Sequence, residues 1–94
     1  MDGPSVRFCE GAKVIVRTKV AGYDFLPVLP ARKGDDTLDL KDGIILNCLG
    51  CKEVQPGIWM YEMEVVTGSK QGDTVWVGLK LDHLLEEIPS RKNR

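Results

Sequence analysis

The residues of this chain best suited to metal chemistry are its three cysteines and its single histidine. Cys48 and Cys51 have the C-x-x-C spacing that lets two thiolates reach one tetrahedral zinc ion, and Cys9 with His83 would complete a Cys₃His set. A structural zinc site usually has two such pairs, whereas here the other two candidate ligands are single residues far apart in the chain. We therefore expect no bound metal, and zinc remains the alternative.

The same cysteine pair could support redox chemistry at the N-terminus of a helix, where the pKa of a thiol falls. Ile44 to Cys48 has the pattern of a strand and no helix follows, so we interpret Cys48 as a small buried apolar residue and Cys51 as a loop thiol. With one His, no G-x-S-x-G motif and no Gly-rich phosphate loop, the sequence pairs no nucleophile with a base. We predict a protein that is not an enzyme and needs no cofactor.

Length, charge and cysteine count limit the remaining function classes. The 94 residues suit one small domain. Thirteen Lys and Arg against fourteen Asp and Glu give a net charge of -1, which disfavours nucleic-acid binding because no uniform basic field is present. No apolar run reaches the roughly 18 residues that span a bilayer, so we expect no membrane insertion. An odd number of cysteines indicates a reducing compartment, and we expect the cytoplasm.

Five short strands must carry whatever site the chain has. Apolar and basic residues alternate from Val14 to Val20, Ile44–Leu49 is a short apolar run, and Ile58–Val66 is rich in β-branched and aromatic residues. Further strands are expected at 75–79 and 85–88. Trp76 faces opposite to its apolar neighbours in the fourth of these strands, which indicates a partly exposed ring and hints at an interface.

Loops and flanking segments complete the predicted organisation. Residues 26–37 contain two Pro and two adjacent Asp and predict a long loop, and Gly50 to Gly57 predicts a second one. We place a flanking segment at residues 1–12, the domain at 13–89 and a basic tail or linker at 90–94. Short strands at this spacing favour a small all-β barrel.

Four segments occur in the order typical of a Src-homology-3 (SH3) domain. They are A-G-Y-D-F at Ala21–Phe25, D-D-T-L-D-L-K-D-G-I-I-L at Asp35–Leu46, Trp59, and G-L-K-L-D-H-L-L-E-E-I at Gly78–Ile88. They resemble the A-L-Y-D-F/Y motif, the acidic loop with its D-E-L-S-F turn, the groove Trp and the closing motif of that family. The resemblance covers about residues 14–89. It implies an SH3-like barrel of five short strands, with a lengthened RT loop and a short 3₁₀ turn before the last strand.

The resemblance also implies a groove for Pro-rich peptides, which dock as preformed polyproline II helices. Tyr23 and Phe25 would form one wall of it, and Trp59 would separate its pockets. Asp35 and Asp36, at the tip of the long loop, would pair with a basic residue that flanks the peptide core.

The closing motif departs from the family at two ligand-contacting positions. Leu81 stands where the family has Pro, and Leu84 stands where it has a closing Tyr. The second change removes one hydrogen bond to a peptide, at a net cost of about 0.5 to 1.5 kcal/mol. The segment resembles that of the SH3 domain of Ras GTPase-activating protein, which is regarded as atypical. We therefore expect weak binding of simple Pro-rich peptides.

The function predicted from these residues is non-catalytic. We expect a protein–protein interaction module of an intracellular signalling or scaffold protein, whose partner is a protein or peptide that need not be proline-rich. The first alternative is a structural or self-associating module, such as a homodimer. The second is a Tudor-type reader of a modified tail, which shares the barrel and needs an aromatic cage around a cation.

Overall fold

Short strands joined by turns make up most of the computed structural model, which describes residues 6–30 and 38–89. The strands are β1 (Lys13–Val16), β2 (Phe25–Pro30), β3 (Leu38–Lys41), β4 (Ile45–Gln55), β5 (Ile58–Val65), β6 (Thr74–Gly78) and β7 (Leu85–Glu87). The described segments also contain two 3₁₀ helices, η1 (Lys19–Ala21) and η2 (Leu79–Leu84). The prediction of a 3₁₀ turn directly before the last strand is confirmed.

The strands form one antiparallel sheet in the order β3-β2-β6-β5-β4-β1-β7. The prediction of an all-β fold is confirmed, but the described residues contain seven strands in an open order rather than the five of the expected barrel. Of the two additional strands, β3 begins at residue 38, directly after the segment predicted to be a long loop, and β2 falls largely within that segment. Its prolines suggested a loop, yet Leu26 and Val28 alternate with Pro27 to give one buried and one exposed face.

Strand β4 is longer than predicted because its pairing with β5 continues through two irregularities. Register shifts occur between Cys48 and Gly50 and between Glu53 and Gln55. Gly50 has a φ of 123°, a conformation that glycine adopts readily, and this lets the strand continue past the first shift. The prediction of a loop from Gly50 to Gly57 is therefore wrong for most of its length, and Cys51 is a strand residue rather than a loop thiol.

The core lies on the inner face of the sheet, where alternate residues of the strands meet. Burying a large aliphatic side chain contributes about 1.5 to 3 kcal/mol, so this face dominates the stability of the fold. The buried hydrophobic residues are Phe8, Val14, Val16, Leu26, Val28, Leu40, Leu46, Cys48, Tyr61, Met63, Val65, Val75, Val77, Leu84 and Leu85.

The folded unit begins before residue 13. Phe8 is only 2% exposed and belongs to the core. The backbone N–H of Gly11 donates to the carbonyl of Cys48 at 2.7 Å, and the N–H of Cys48 donates to the carbonyl of Ala12 at 2.7 Å. Part of the predicted flank thus extends the pairing of β1 with β4, whereas the predicted tail at 90–94 lies outside the described residues.

Candidate functional site

The outer face of the sheet, opposite the core, carries an apolar surface where β2, β6 and β5 lie side by side. Leu29 of β2 pairs with Trp76 of β6, and Trp76 pairs with Glu62 of β5. One step along the same face, Met60 pairs with Gly78. Since residues two apart in a strand share a face, these positions project away from the core together.

A shallow groove of about 240 Å³ lies in this surface. It is named here the outer groove, and the described residues that line it are all apolar: Pro27, Val28, Leu29, Met60, Trp76, Gly78 and Leu81. Trp76 supplies the largest flat surface, since a ring offers a wide contact area from a side chain with few rotors. The arrangement can bind an apolar ligand, but the described residues that line it include no ionisable side chain that could carry out acid–base or nucleophilic chemistry.

The strands that form the outer groove pack against the core through their opposite face. Val75 and Val77, the immediate neighbours of Trp76, are 0% exposed. Tyr61, the neighbour of Met60, is also fully buried, and burial raises the pKa of its hydroxyl. Its oxygen accepts the backbone N–H of Arg7 at 2.9 Å. The groove therefore has a firm floor, which lowers the conformational cost of binding.

Charged side chains border the groove without entering it. Lys52 and Glu62 form an ion pair beside Trp76, and the hydrogen bond that the Lys52 ammonium donates to the Glu62 carboxylate raises the pKa of Lys52. Asp39 of β3 pairs with Pro27 of β2, so one acidic residue lies at the β3 edge of the same surface. Since charges of both signs occur at the rim, the apolar floor rather than a net charge characterises this site.

Three of the seven residues predicted to contact a peptide lie at or near the outer groove. Leu81 lines it directly. Tyr23 and Phe25 are 52% and 44% exposed, and Phe25 lies two residues before Pro27 on the same face of β2. The Tyr23 ring lies edge-on to the ring of His83 in η2, with centroids 6.5 Å apart. The three side chains are accessible, as a ligand contact requires.

Two other predicted contacts, Trp59 and Leu84, are not part of this groove. Trp59 lies on the opposite face of β5 from Met60 and pairs with Glu53, beyond the part of β5 that pairs with β6. Leu84 is 2% exposed and packs in the core, so its side chain does not form part of the accessible surface. Asp35 and Asp36 lie outside the described residues.

Sequence reasoning missed five residues that line the groove: Pro27, Val28, Leu29, Met60 and Gly78. A signal for Met60 was present, because alternation along β5 places it opposite to Tyr61, a buried position. Trp76 was recognised as a partly exposed ring but was not assigned to the site. Because prolines indicated a loop at residues 26–37, strand β2 was not predicted, and neither was the groove wall that it forms.

The cysteines and the histidine of the zinc alternative all lie in the described part of the chain. Within residues 6–30 and 38–89 no three His, Cys, Asp or Glu side chains are grouped so that they could hold a metal ion. Cys48 is fully buried, as predicted, and burial raises the pKa of its thiol and that of Cys51. A raised pKa favours the thiol over the thiolate, which is the form that binds metals and reacts.

Comparisons with protein-family models, with curated proteins and with solved structures find no match to this chain. Among the described residues, no helix has the length and apolar character needed to cross a membrane.

Proposed function

We propose that this chain is a non-catalytic protein-interaction module that binds an extended, apolar, proline-containing peptide segment in the outer groove. The observation that carries the proposal is Trp76, a half-buried lining residue of β6 that pairs with Leu29 of β2 and shares the groove with Met60 of β5. Aromatic rings are enriched at protein interfaces.

The dimensions of the groove favour an extended ligand. It crosses three neighbouring strands, β2, β6 and β5. Neighbouring strands lie about 4.8 Å apart, so two spacings give a length of about 10 Å. A polyproline II segment advances about 3.1 Å per residue, and the groove therefore accommodates about three of its residues. Such a segment loses little entropy on binding because it is already extended in solution.

The lining gives the chemical class of the ligand. No charged side chain is found among the lining residues within 6–30 and 38–89, so apolar side chains and proline rings are the groups that would gain most from leaving water there. Because the groove is shallow and short, the affinity for an isolated peptide should be weak. Trp76 is the one aromatic ring among the described lining residues, which does not favour the three-ring cage of a Tudor-type reader.

The setting proposed for this module is an intracellular signalling or scaffold protein, and its fold is proposed to be an atypical SH3-like one. Support for the fold comes from the motif order in the sequence and from the 3₁₀ helix that precedes the last strand. Support for the cytoplasm comes from Cys9, Cys48 and Cys51, which are all free thiols.

The two tryptophans provide the test, because only Trp76 lines the groove. Binding of pooled proline-rich peptides would be measured by calorimetry for the native chain, Trp76→Ala and Trp59→Ala. We expect Trp76→Ala to weaken binding at least about tenfold, the usual loss when a central aromatic anchor is removed. Trp59→Ala should retain most of the affinity. Equal affinity of Trp76→Ala and the native chain, with both folded, would refute the proposal.

Self-association is the competing outcome. If a second copy of the chain fills the groove, sedimentation will depend on protein concentration, and Trp76→Ala will abolish that dependence. If the native chain remains monomeric and binds peptide, the interaction module is supported.

A further inference from the structure

The segment from Val6 to Ala12, named here the N-terminal strap, is anchored to the core by two contacts with one tyrosine. The buried ring of Phe8 lies 5.6 Å from the ring of Tyr61, at an angle of 53°. The backbone N–H of Arg7 donates to the Tyr61 hydroxyl at 2.9 Å. Since Tyr61 is fully buried, these contacts fix the backbone of the strap at residues 7 and 8.

The side chain of Arg7 extends from this anchor to η2. Its guanidinium carbon lies 5.0 Å from the centroid of the Phe8 ring, and its Nη1 donates to the carbonyl oxygen of Asp82 at 2.9 Å. The same carbonyl accepts the backbone N–H of Leu85, the hydrogen bond at the C-terminal end of η2. A charged donor on this carbonyl strengthens the hold on that end of the helix.

The carbonyl that Arg7 holds belongs to the residue directly after Leu81, which lines the outer groove. On the other side of Asp82, His83 contacts the ring of Tyr23. A 3₁₀ helix has poorer hydrogen-bond geometry than an α-helix, so a helix of six residues depends on contacts from outside to keep its orientation. Helix η2 is therefore held by a residue of the N-terminal strap and also contributes a residue to the outer groove.

We propose that Arg7 is a positioning residue for the outer groove: through Asp82 it holds η2 so that Leu81 forms the groove wall. The inference rests on the proposed function for its binding consequence, but the orientation of η2 can be tested without a ligand. Arg7 is not part of the groove lining, so its effect on binding is exerted through η2.

The test replaces Arg7 with Ala and measures hydrogen exchange of the Leu85 amide, the methyl resonances of Leu81 and the affinity for a proline-rich peptide. The backbone N–H of Arg7 and its bond to Tyr61 remain, so the fold should be retained. We expect faster exchange at Leu85, shifted Leu81 methyl resonances and an affinity about threefold weaker, which is the modest loss expected for an exposed charged hydrogen bond. Arg7→Lys, which keeps a charged donor, should restore part of the affinity.

Arg17→Ala is the matched control. Arg17 is also an exposed arginine, and its Nε donates to a carboxylate oxygen of Glu86 at 3.1 Å rather than to η2. The Arg17→Ala substitution should leave hydrogen exchange of the Leu85 amide and the affinity for the peptide unchanged.

Two results would overturn the inference. One is native exchange at Leu85 and native Leu81 resonances in Arg7→Ala, whether or not any peptide binds. The other is a perturbed η2 with unchanged peptide affinity, which would separate the strap from the groove. If the native chain binds no peptide, the proposed function fails, and the exchange and methyl measurements alone decide whether Arg7 positions η2.

Discussion

Gly78 pairs with Met60 across the β5–β6 ladder, on the outer face of the sheet and within the outer groove. No heavy atom of the described residues lies within 4 Å of the position that a Cβ on Gly78 would occupy. Its backbone is extended, with a φ of -64°, so a side chain can be added there without backbone strain. The missing side chain of Gly78 is one reason why the groove is open.

Gly78→Val should fill the groove from within. We expect a folded protein with a melting temperature close to that of the native chain and a peptide affinity at least about tenfold weaker, because the added methyl groups occupy space that the ligand needs. Calorimetry with the same peptide would measure the loss. Ile58→Ala changes an exposed side chain that does not line the groove, and it should bind as the native chain does. Full affinity of a folded Gly78→Val protein would contradict the assignment of the site.

Phe8→Ala should destabilise the whole domain. Removing a buried phenylalanine costs about 3 to 5 kcal/mol, and Phe8 contacts Tyr61 in the core. Urea denaturation would measure the change in the free energy of unfolding. Val6→Ala, at a position that is 42% exposed, should change it by less than about 0.5 kcal/mol. If Phe8→Ala lowered the free energy of unfolding no more than Val6→Ala does, the residues before 13 would be a flanking segment rather than part of the folded domain.

Gly68 and Gly72 form a matched pair in the β5–β6 turn, with φ values of 97° and 94°. Alanine is strained at either position, at a cost of about 1 kcal/mol or more. At Gly68 the new Cβ would also lie 2.6 Å from Cδ1 of Ile44, a side chain packed against the core, whereas nothing lies within 4 Å at Gly72. Gly68→Ala should therefore lower the free energy of unfolding more than Gly72→Ala does. Equal losses in urea denaturation would show that Ile44 moves aside without cost.

Stability should fall at alkaline pH. Burial raises the pKa of Cys48, Cys51 and Tyr61 above the ordinary values of 9.0, 9.0 and 10.0. Because the folded state holds these protons more tightly than the unfolded state, their contribution is fully present below pH 9.0 and is lost as the pH rises through the folded-state pKa values. Urea denaturation at pH 8 and at higher pH would measure the slope. Cys48→Ala should have a shallower slope, and an unchanged slope would mean that the buried thiol does not titrate.

Alternation in the sequence predicted the regular strands β5 and β6, whereas the irregular parts of the sheet could not be predicted from it. Along β5 and β6 the buried residues Tyr61, Met63, Val75 and Val77 alternate with less buried ones, as the side-chain period of two in a strand requires. The continuation of β4 past Gly50 depends on a register shift, which only the pairing with β5 determines.

The site was predicted less well because its walls come from separate elements. Leu81 could be placed by its position before the last strand, and Tyr23 and Phe25 by their motif. Leu84 has the same residue type as Leu81, and which of the two is buried depends on how η2 packs against the sheet. The two prolines of β2 indicated a loop rather than a strand. In the structure β2 pairs with β3 and β6, and this pairing brings Pro27 and Leu29 to the groove.

The central claim is that the outer groove binds an extended apolar peptide, and amide shift mapping tests it most directly. The ¹⁵N-labelled chain would be titrated with pooled proline-rich peptides, some with Arg at either end. The account predicts saturable shifts centred on Met60, Trp76, Gly78 and Leu81, with smaller ones at Tyr23 and Phe25. A well-dispersed spectrum without shifts, or saturable shifts centred on Trp59 with none at Trp76, would contradict it.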